Sequence, residues 1–108
     1  MYYDLDKYEW SDANWIIHPE HWYLAAKITN NGLWRIAYGE RPGQPLDQSS
    51  LEARVKEKLQ IILPGNPTPD QFRLAAVSPY GIHQRLAEHM RVGRVLLAGD
   101  AAHLNNPM

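Results

Sequence analysis

The sequence predicts an α+β chain: an antiparallel sheet with one helix, ending in a strand–turn–helix start of the α/β kind. Three observations carry that expectation. Two alternating segments flank Asn30-Asn31-Gly32, a turn whose residues accept positive φ. Leu51, Val55, Leu59 and Ile62 recur at helical spacing behind a capping signal. Near the end, the short apolar run Val95-Leu96-Leu97-Ala98 is broken by Gly99-Asp100.

The first fourteen residues alternate polar and aromatic types without a clean period and read as a loop or frayed edge. Residues 14–19 and 20–29 read as two strand segments broken at His18-Pro19-Glu20. In the second, Trp22, Leu24, Ala26 and Ile28 share one face, and Tyr23, Ala25, Lys27 and Thr29 the other. The return strand covers 33–40, with Trp34, Ile36 and Tyr38 on one face and Leu33, Arg35 and Ala37 on the other. Residues 41–48 are loop by their Pro and Gly content. Ser49-x-x-Glu52 has the pattern of a capping box, with Ser49 as N-cap of a helix over about 50–62 and Glu52-Lys56 an exposed pair. Leu63-Pro64-Gly65 ends that helix, and 66–70 is loop. Residues 71–77 read as a strand around Phe72, Leu74 and Ala76. Residues 81–90 fit either a helical or an alternating period.

At the end, Arg91-Val92-Gly93-Arg94 forms a basic turn, and 95–98 has the length and composition of a buried strand. Gly99 breaks it, Asp100 follows, and Ala101-Ala102-His103-Leu104 read as the first turn of a helix. A carboxylate at a strand's end beside a helix N-terminus makes a ligand edge in an open α/β sheet. Position alone leaves two readings for Asp100: acceptor for a sugar-alcohol chain, or plain N-cap. Gly99 either lets a ligand approach the backbone or simply ends the strand.

Composition narrows the function classes. The 108 residues suffice for one domain at most, and 44% hydrophobic with 21% charged residues is ordinary for a globular chain. A net charge of −1 gives no bias towards nucleic acid or acidic substrates. Cysteine is absent, which excludes disulfides and thiolate metal sites and fits a reducing, cytoplasmic compartment. Met1-Tyr2-Tyr3-Asp4 has neither the basic start nor the apolar core of a signal peptide, and no apolar run approaches membrane-spanning length. Four Trp and six Tyr against one Phe suit a sheet core or a pocket for a planar ligand. His18 and His21 have the spacing of two metal ligands, but Pro19 breaks helical geometry between them and no third ligand is evident. A metal-dependent phosphohydrolase would need a second carboxylate soon after Asp100, where Ala, Ala, His, Leu, Asn and Asn stand instead. No Gly-x-Ser-x-Gly, Walker loop or nucleophile–base pair occurs.

Gly93-Arg94, the apolar run, Gly99-Asp100-Ala101-Ala102-His103 and Pro107 together resemble the second flavin motif of the FAD-dependent aromatic hydroxylases, the para-hydroxybenzoate hydroxylase-like class A flavoprotein monooxygenases. Ser78-Pro79-Tyr80 and His83-Gln84-Arg85 also resemble that family. Trp34-Arg35 through Tyr38-Gly39-Glu40 is similar to a strand of its middle, substrate-covering domain. The resemblance implies a middle domain over 1–90 and a returning piece of the FAD-binding domain over 91–108, with 81–87 a returning strand. It implies FAD as cofactor, NAD(P)H as electron donor, O2 and a phenolic or similar aromatic as substrates, and no catalytic side chain in this stretch. The implied cofactor contacts are Gly99, Asp100, Ala101, Ala102 and Pro107. Asp100 would hold the ribityl hydroxyls, and free N–H groups around Ala101 and Ala102 the pyrophosphate. Pro107 would also lie near the substrate, and His103 would serve structurally. The family opens with a GxGxxG fingerprint and continues past the proline with a glycine-rich segment, and this sequence has neither. The expectation is therefore a fragment, inactive and unable to retain FAD without the missing parts of the enzyme. The competing expectation is a non-enzymatic β-rich binding or interaction domain with a decayed flavin motif.

Overall fold

The computed structural model of the chain describes residues 1–104, so the expectation for Pro107 lies outside the described residues. Contacts divide the chain into two compact units, Met1–Ser78 and a second beginning at Pro79.

The first unit is built on a three-stranded antiparallel sheet in the order β1-β2-β3, with β1 at Ala13–Ile16, β2 at Tyr23–Lys27 and β3 at Trp34–Tyr38. The β2–β3 register pairs Tyr23 with Tyr38, Ala25 with Ile36 and Lys27 with Trp34, so these six side chains share a face. Gly32, at φ +80, supplies the left-handed residue that the connecting turn requires. Helix α1, Gln48–Ile62, brings Leu51, Val55, Leu59 and Ile62 to the same core as Tyr23, Ala25 and Trp34. The Tyr23 hydroxyl donates to the Ile62 carbonyl over 2.7 Å in the buried interior, tying the sheet to the last turn of α1. This sheet and helix make the small α+β arrangement read from the sequence.

Three local expectations give way. The opening residues are not a frayed edge. Met1, Tyr3 and Leu5 are buried in the core, and Tyr2 bridges Leu33 and Arg73. The Trp34 N–H donates to the Met1 carbonyl over 2.8 Å and the Tyr3 N–H to the Gly32 carbonyl over 3.1 Å, so the segment runs along the open edge of β3. The expected strand over 71–77 reduces to the single bridge at Arg73, with Phe72 anchored in the core. The N-cap of α1 is Asp47, not Ser49: the Ser50 N–H donates to Asp47 Oδ1 over 3.0 Å. The Ser49 hydroxyl donates to the same carboxylate, and Glu52 takes the Gln48 side chain rather than reaching back to an N-cap amide. These hydrogen bonds, the Ser50 amide first, hold the Asp47 carboxyl down to about 2.

The second unit has two short ladders. In one, β4 (Arg85–Leu86) pairs antiparallel with β7 (His103–Leu104). In the other, β5 (Arg91–Val92) pairs with β6 (Val95–Leu96) across a Gly93-Arg94 turn, with Gly93 at φ +58. The strand expected over 81–87 is thus only Arg85–Leu86. The run expected as a buried strand over 95–98 is an exposed hairpin arm, with Val95 and Leu96 67% and 71% exposed. Two-residue ladders bring few neighbours, and only Ala102 is buried among the described residues of this unit. In place of a helix after Gly99 there is a single 3-10 turn, Gly99–Ala101, which leads into β7. No described helix is long and apolar enough to cross a membrane.

Candidate functional site

The motif residues come together in one turn of the second unit. The Leu97 N–H donates to the Met90 carbonyl over 2.9 Å and closes the hairpin behind it. Ala98 is extended, at φ −144 and ψ 159, and Gly99 then reverses the chain at φ +59. An L-residue in that region carries strain, so the glycine is required by backbone geometry. A Cβ at Gly99 would meet nothing within 4 Å, so the backbone is open to approach on that side. Asp100 and Ala101 are exposed. Among the described residues no side chain pairs with the Asp100 carboxylate.

Ala102 departs from expectation. Its N–H is not free but donates to the Gly99 carbonyl over 2.9 Å, and its own carbonyl accepts from the Ala87 N–H over 2.8 Å. The first bond closes the turn and the second ties it to Ala87, the residue after β4, where the small buried side chain of Ala102 permits the close approach. His103 sits opposite Leu86 in β7 and is exposed. Arg94 lies in the hairpin turn, exposed and without an ion pair among the described residues. His83 and Arg85 are likewise exposed. Glu88 and His89 form an exposed pair at 3.9 Å, which contributes little.

The turn offers two features that a sugar-alcohol chain such as that of FAD can use: an exposed carboxylate with no side-chain partner among the described residues, two residues past extended Ala98, and a glycine backbone with open space beside it. The donor set is right for sugar hydroxyls, which can donate to Asp100.

In the first unit His18 and His21 do other work. Their rings stack at 5.1 Å, and His18 Nδ1 accepts from the N–H groups of Glu20 and His21 over 3.1 and 3.0 Å. His21 Nδ1 lies 2.9 Å from Lys58 Nζ. They brace the β1–β2 connection against α1, and no metal-binding cluster occurs among the described residues. Trp34 belongs to the core, 1% exposed, whereas Arg35 beside it faces outward.

Sequence reasoning missed a polar cleft of about 150 Å³ lined by Tyr3, Lys7, Tyr8 and Gly65 among others. There the Tyr3 hydroxyl donates to the Pro64 carbonyl over 2.8 Å, and burial pushes its pKa up to about 12. The signal was the period-two spacing of Met1, Tyr3 and Leu5, which has no meaning until the β3 edge is placed beside it.

Comparison with known proteins matches residues 10–108 to the FAD binding domain family. The chain is 43% identical over all its 108 residues to para-nitrophenol 4-monooxygenase of a Pseudomonas species, covering 26% of that protein. It is 33% identical over 105 residues, 97% of the chain, to 6-hydroxy-3-succinoylpyridine 3-monooxygenase HspB of Pseudomonas putida, covering 25% of it. The crystal structure of p-nitrophenol 4-monooxygenase PnpA from Pseudomonas putida superposes with a TM-score of 0.78 at 43% identity, over 99% of this chain and 27% of that one. The chain thus spans about a quarter of the length of these relatives. A match that runs from before the sheet to the far side of the Gly99-Asp100 turn makes this chain a member of the FAD binding domain family found in flavin-dependent aromatic monooxygenases.

Proposed function

We propose that the chain is the sheet-and-turn portion of a monooxygenase that hydroxylates an aromatic ring with FAD, NAD(P)H and O2. The single observation that carries this reading is the Gly99-Asp100 turn: a glycine at φ +59 with open space beside it and an exposed carboxylate with no side-chain partner among the described residues, inside a family match over 10–108. Asp100 would accept hydrogen bonds from the ribityl hydroxyls, and Gly99 would let the cofactor lie against the backbone. Ala101 and Pro107 remain candidate contacts by resemblance. With its amide already bonded to Gly99, Ala102 would contribute by tying the turn to Ala87. FAD, when bound, supplies the redox chemistry with O2, and the protein's share is to bind, orient and exclude water.

On this reading residues 1–90 belong to the middle, substrate-covering domain and 91–108 to the returning piece of the α/β FAD-binding domain. The substrate would be a phenolic or similar aromatic ring, a reading supported by relatives named for nitrophenol and hydroxysuccinoylpyridine. A cytoplasmic setting fits a chain without cysteine.

The test is made on the whole enzyme that contains this chain. Purified, it should carry FAD, and para-nitrophenol should stimulate NAD(P)H oxidation with matching O2 uptake. Purified without the rest of the enzyme, the chain should not retain flavin. An intact protein that binds no flavin, or a lone chain that retains it stoichiometrically, would contradict the reading.

A further inference from the structure

We infer that Asn31 is a self-modifying site: the Gly32 backbone nitrogen attacks its side-chain amide, and the Thr29 hydroxyl assists by holding the amide oxygen. The product is aspartate or isoaspartate at the tip of the β2–β3 hairpin. Every group involved belongs to the first unit and none to the Gly99-Asp100 turn.

The side-chain carbonyl of an asparagine can close a five-membered ring with the main-chain nitrogen of the next residue. Asn31-Gly32 is the step in this sequence where that nitrogen carries no neighbouring Cβ. Every other asparagine is followed by a residue with a side chain or by proline, which has no N–H to lose. The fold supplies the rest. Asn31 is exposed, so water reaches it. The Gly32 N–H donates to no acceptor among the described residues, so no hydrogen bond has to break before the nitrogen attacks. The Thr29 hydroxyl donates to Asn31 Oδ1. That bond polarises the side-chain carbonyl and stabilises the negative charge that gathers on its oxygen as the nitrogen adds. The base of the turn is held, since the N–H groups of Ile28 and Thr29 both donate to the Leu33 carbonyl, over 2.8 and 3.3 Å. Thr29 and Asn31 therefore keep their places across it.

The step balances without oxidant or reductant. The Gly32 nitrogen loses its proton to water and bonds Asn31 Cγ. The Cγ–Nδ2 bond breaks, ammonia leaves with a proton from water, and a succinimide closes. Water then opens the ring. Opening at the side-chain carbonyl gives aspartate, and opening at the main-chain carbonyl gives isoaspartate, which adds a methylene to the backbone before Gly32. The Gly32 carbonyl accepts from the Tyr3 N–H over 3.1 Å, so the lengthened turn pulls against the opening segment along β3.

The experiment incubates the whole enzyme that contains this chain at mildly alkaline pH. Peptide mass spectrometry follows Asn31, and labelling by an isoaspartyl methyltransferase reads isoaspartate. Wild type, Thr29→Val and Thr29→Ser are compared, each folded and in guanidinium chloride. Asn31 should convert, while Asn14 and Asn30 stay intact over the same interval. Folded Thr29→Val should react about three- to tenfold more slowly than wild type, the effect of one hydrogen bond in the transition state. Thr29→Ser should keep most of the wild-type rate. In denaturant all three should react alike, because the hydroxyl contact exists only in the fold. An unchanged Asn31, or a folded Thr29→Val as fast as wild type or faster, would overturn the inference. A rate difference that persists in denaturant would assign the effect to local sequence rather than to the turn, and would overturn it as well.

Discussion

Residues 1–78 and the stretch from Pro79 onward are similarly rich in apolar side chains but use them differently. In the first unit twelve residues make one buried core, because five-residue strands and a four-turn helix give each apolar side chain a facing layer. In the second, ladders two residues long leave Leu86, Val92, Val95 and Leu96 exposed, and only Ala102 is buried among the described residues. The same chemical types thus sit on different links of the chain of causes. In the first unit they stabilise the fold. In the second the ordered feature is the turn itself, fixed by Gly99 and by the two backbone bonds of Ala102.

The largest expected effect separates the two units outright. Trp34→Ala, at a site 1% exposed, should destabilise the first unit by about 3–5 kcal/mol, enough to abolish its cooperative unfolding transition in denaturant. Leu96→Ala, at a site 71% exposed, should change stability of this chain by no more than about 0.5 kcal/mol. Equal effects would break the comparison. The glycines sharpen it. Gly65, at φ +80, would place a Cβ on the Tyr8 hydroxyl, so Gly65→Ala adds a clash to the ~1–2 kcal/mol strain of a left-handed residue. Gly99→Ala has the strain alone and should leave the denaturation midpoint of the first unit where it is. Tyr23→Phe removes the buried bond to the Ile62 carbonyl and should cost about 1 kcal/mol in the same unfolding measurement.

The smallest effect concerns pH. The Asp47 carboxyl titrates at about 2 in the fold against an ordinary 3.8, so the folded state favours its charged form. Its contribution is complete above that ordinary value and is lost as pH falls towards 2. Asp47→Asn, which retains capping ability, should remove this acid-limb dependence while leaving the helix signal at neutral pH close to wild type. At the alkaline end burial pushes Tyr38 up to about 12 from 10, so its contribution is intact below 10 and fades as pH rises towards 12. Tyr38→Phe should remove its share of that limb and leave the share of Tyr3, which burial also pushes up to about 12.

What could be read from the sequence was local or motif-borne. The Asn30-Asn31-Gly32 hairpin, the buried stripe of α1 and the placing of Trp34 and Arg35 on opposite faces of their strand follow from turn chemistry and periodicity, and the structure carries all three. The Gly99-Asp100 break was legible as a turn and, through its neighbours, as a flavin motif. What escaped depended on partners distant in the chain. Met1–Tyr3 becomes strand-like only beside β3, and the residues after Asp100 form β7 rather than a helix only because β4 offers an edge. The capping error had a local cause: Asp47 stands two residues before Ser49, and both can cap. The pattern 95–98 reports apolarity correctly but not whether a layer covers it.

The most direct measurement is the FAD affinity of the whole enzyme with Asp100→Ala, set beside wild type, with far-UV circular dichroism as a control for the sheet and helix. The account predicts at least about a tenfold weaker affinity with an unchanged circular dichroism spectrum, since hydrogen bonds to a charged acceptor are lost and no packing is. Wild-type FAD affinity in that variant would contradict it.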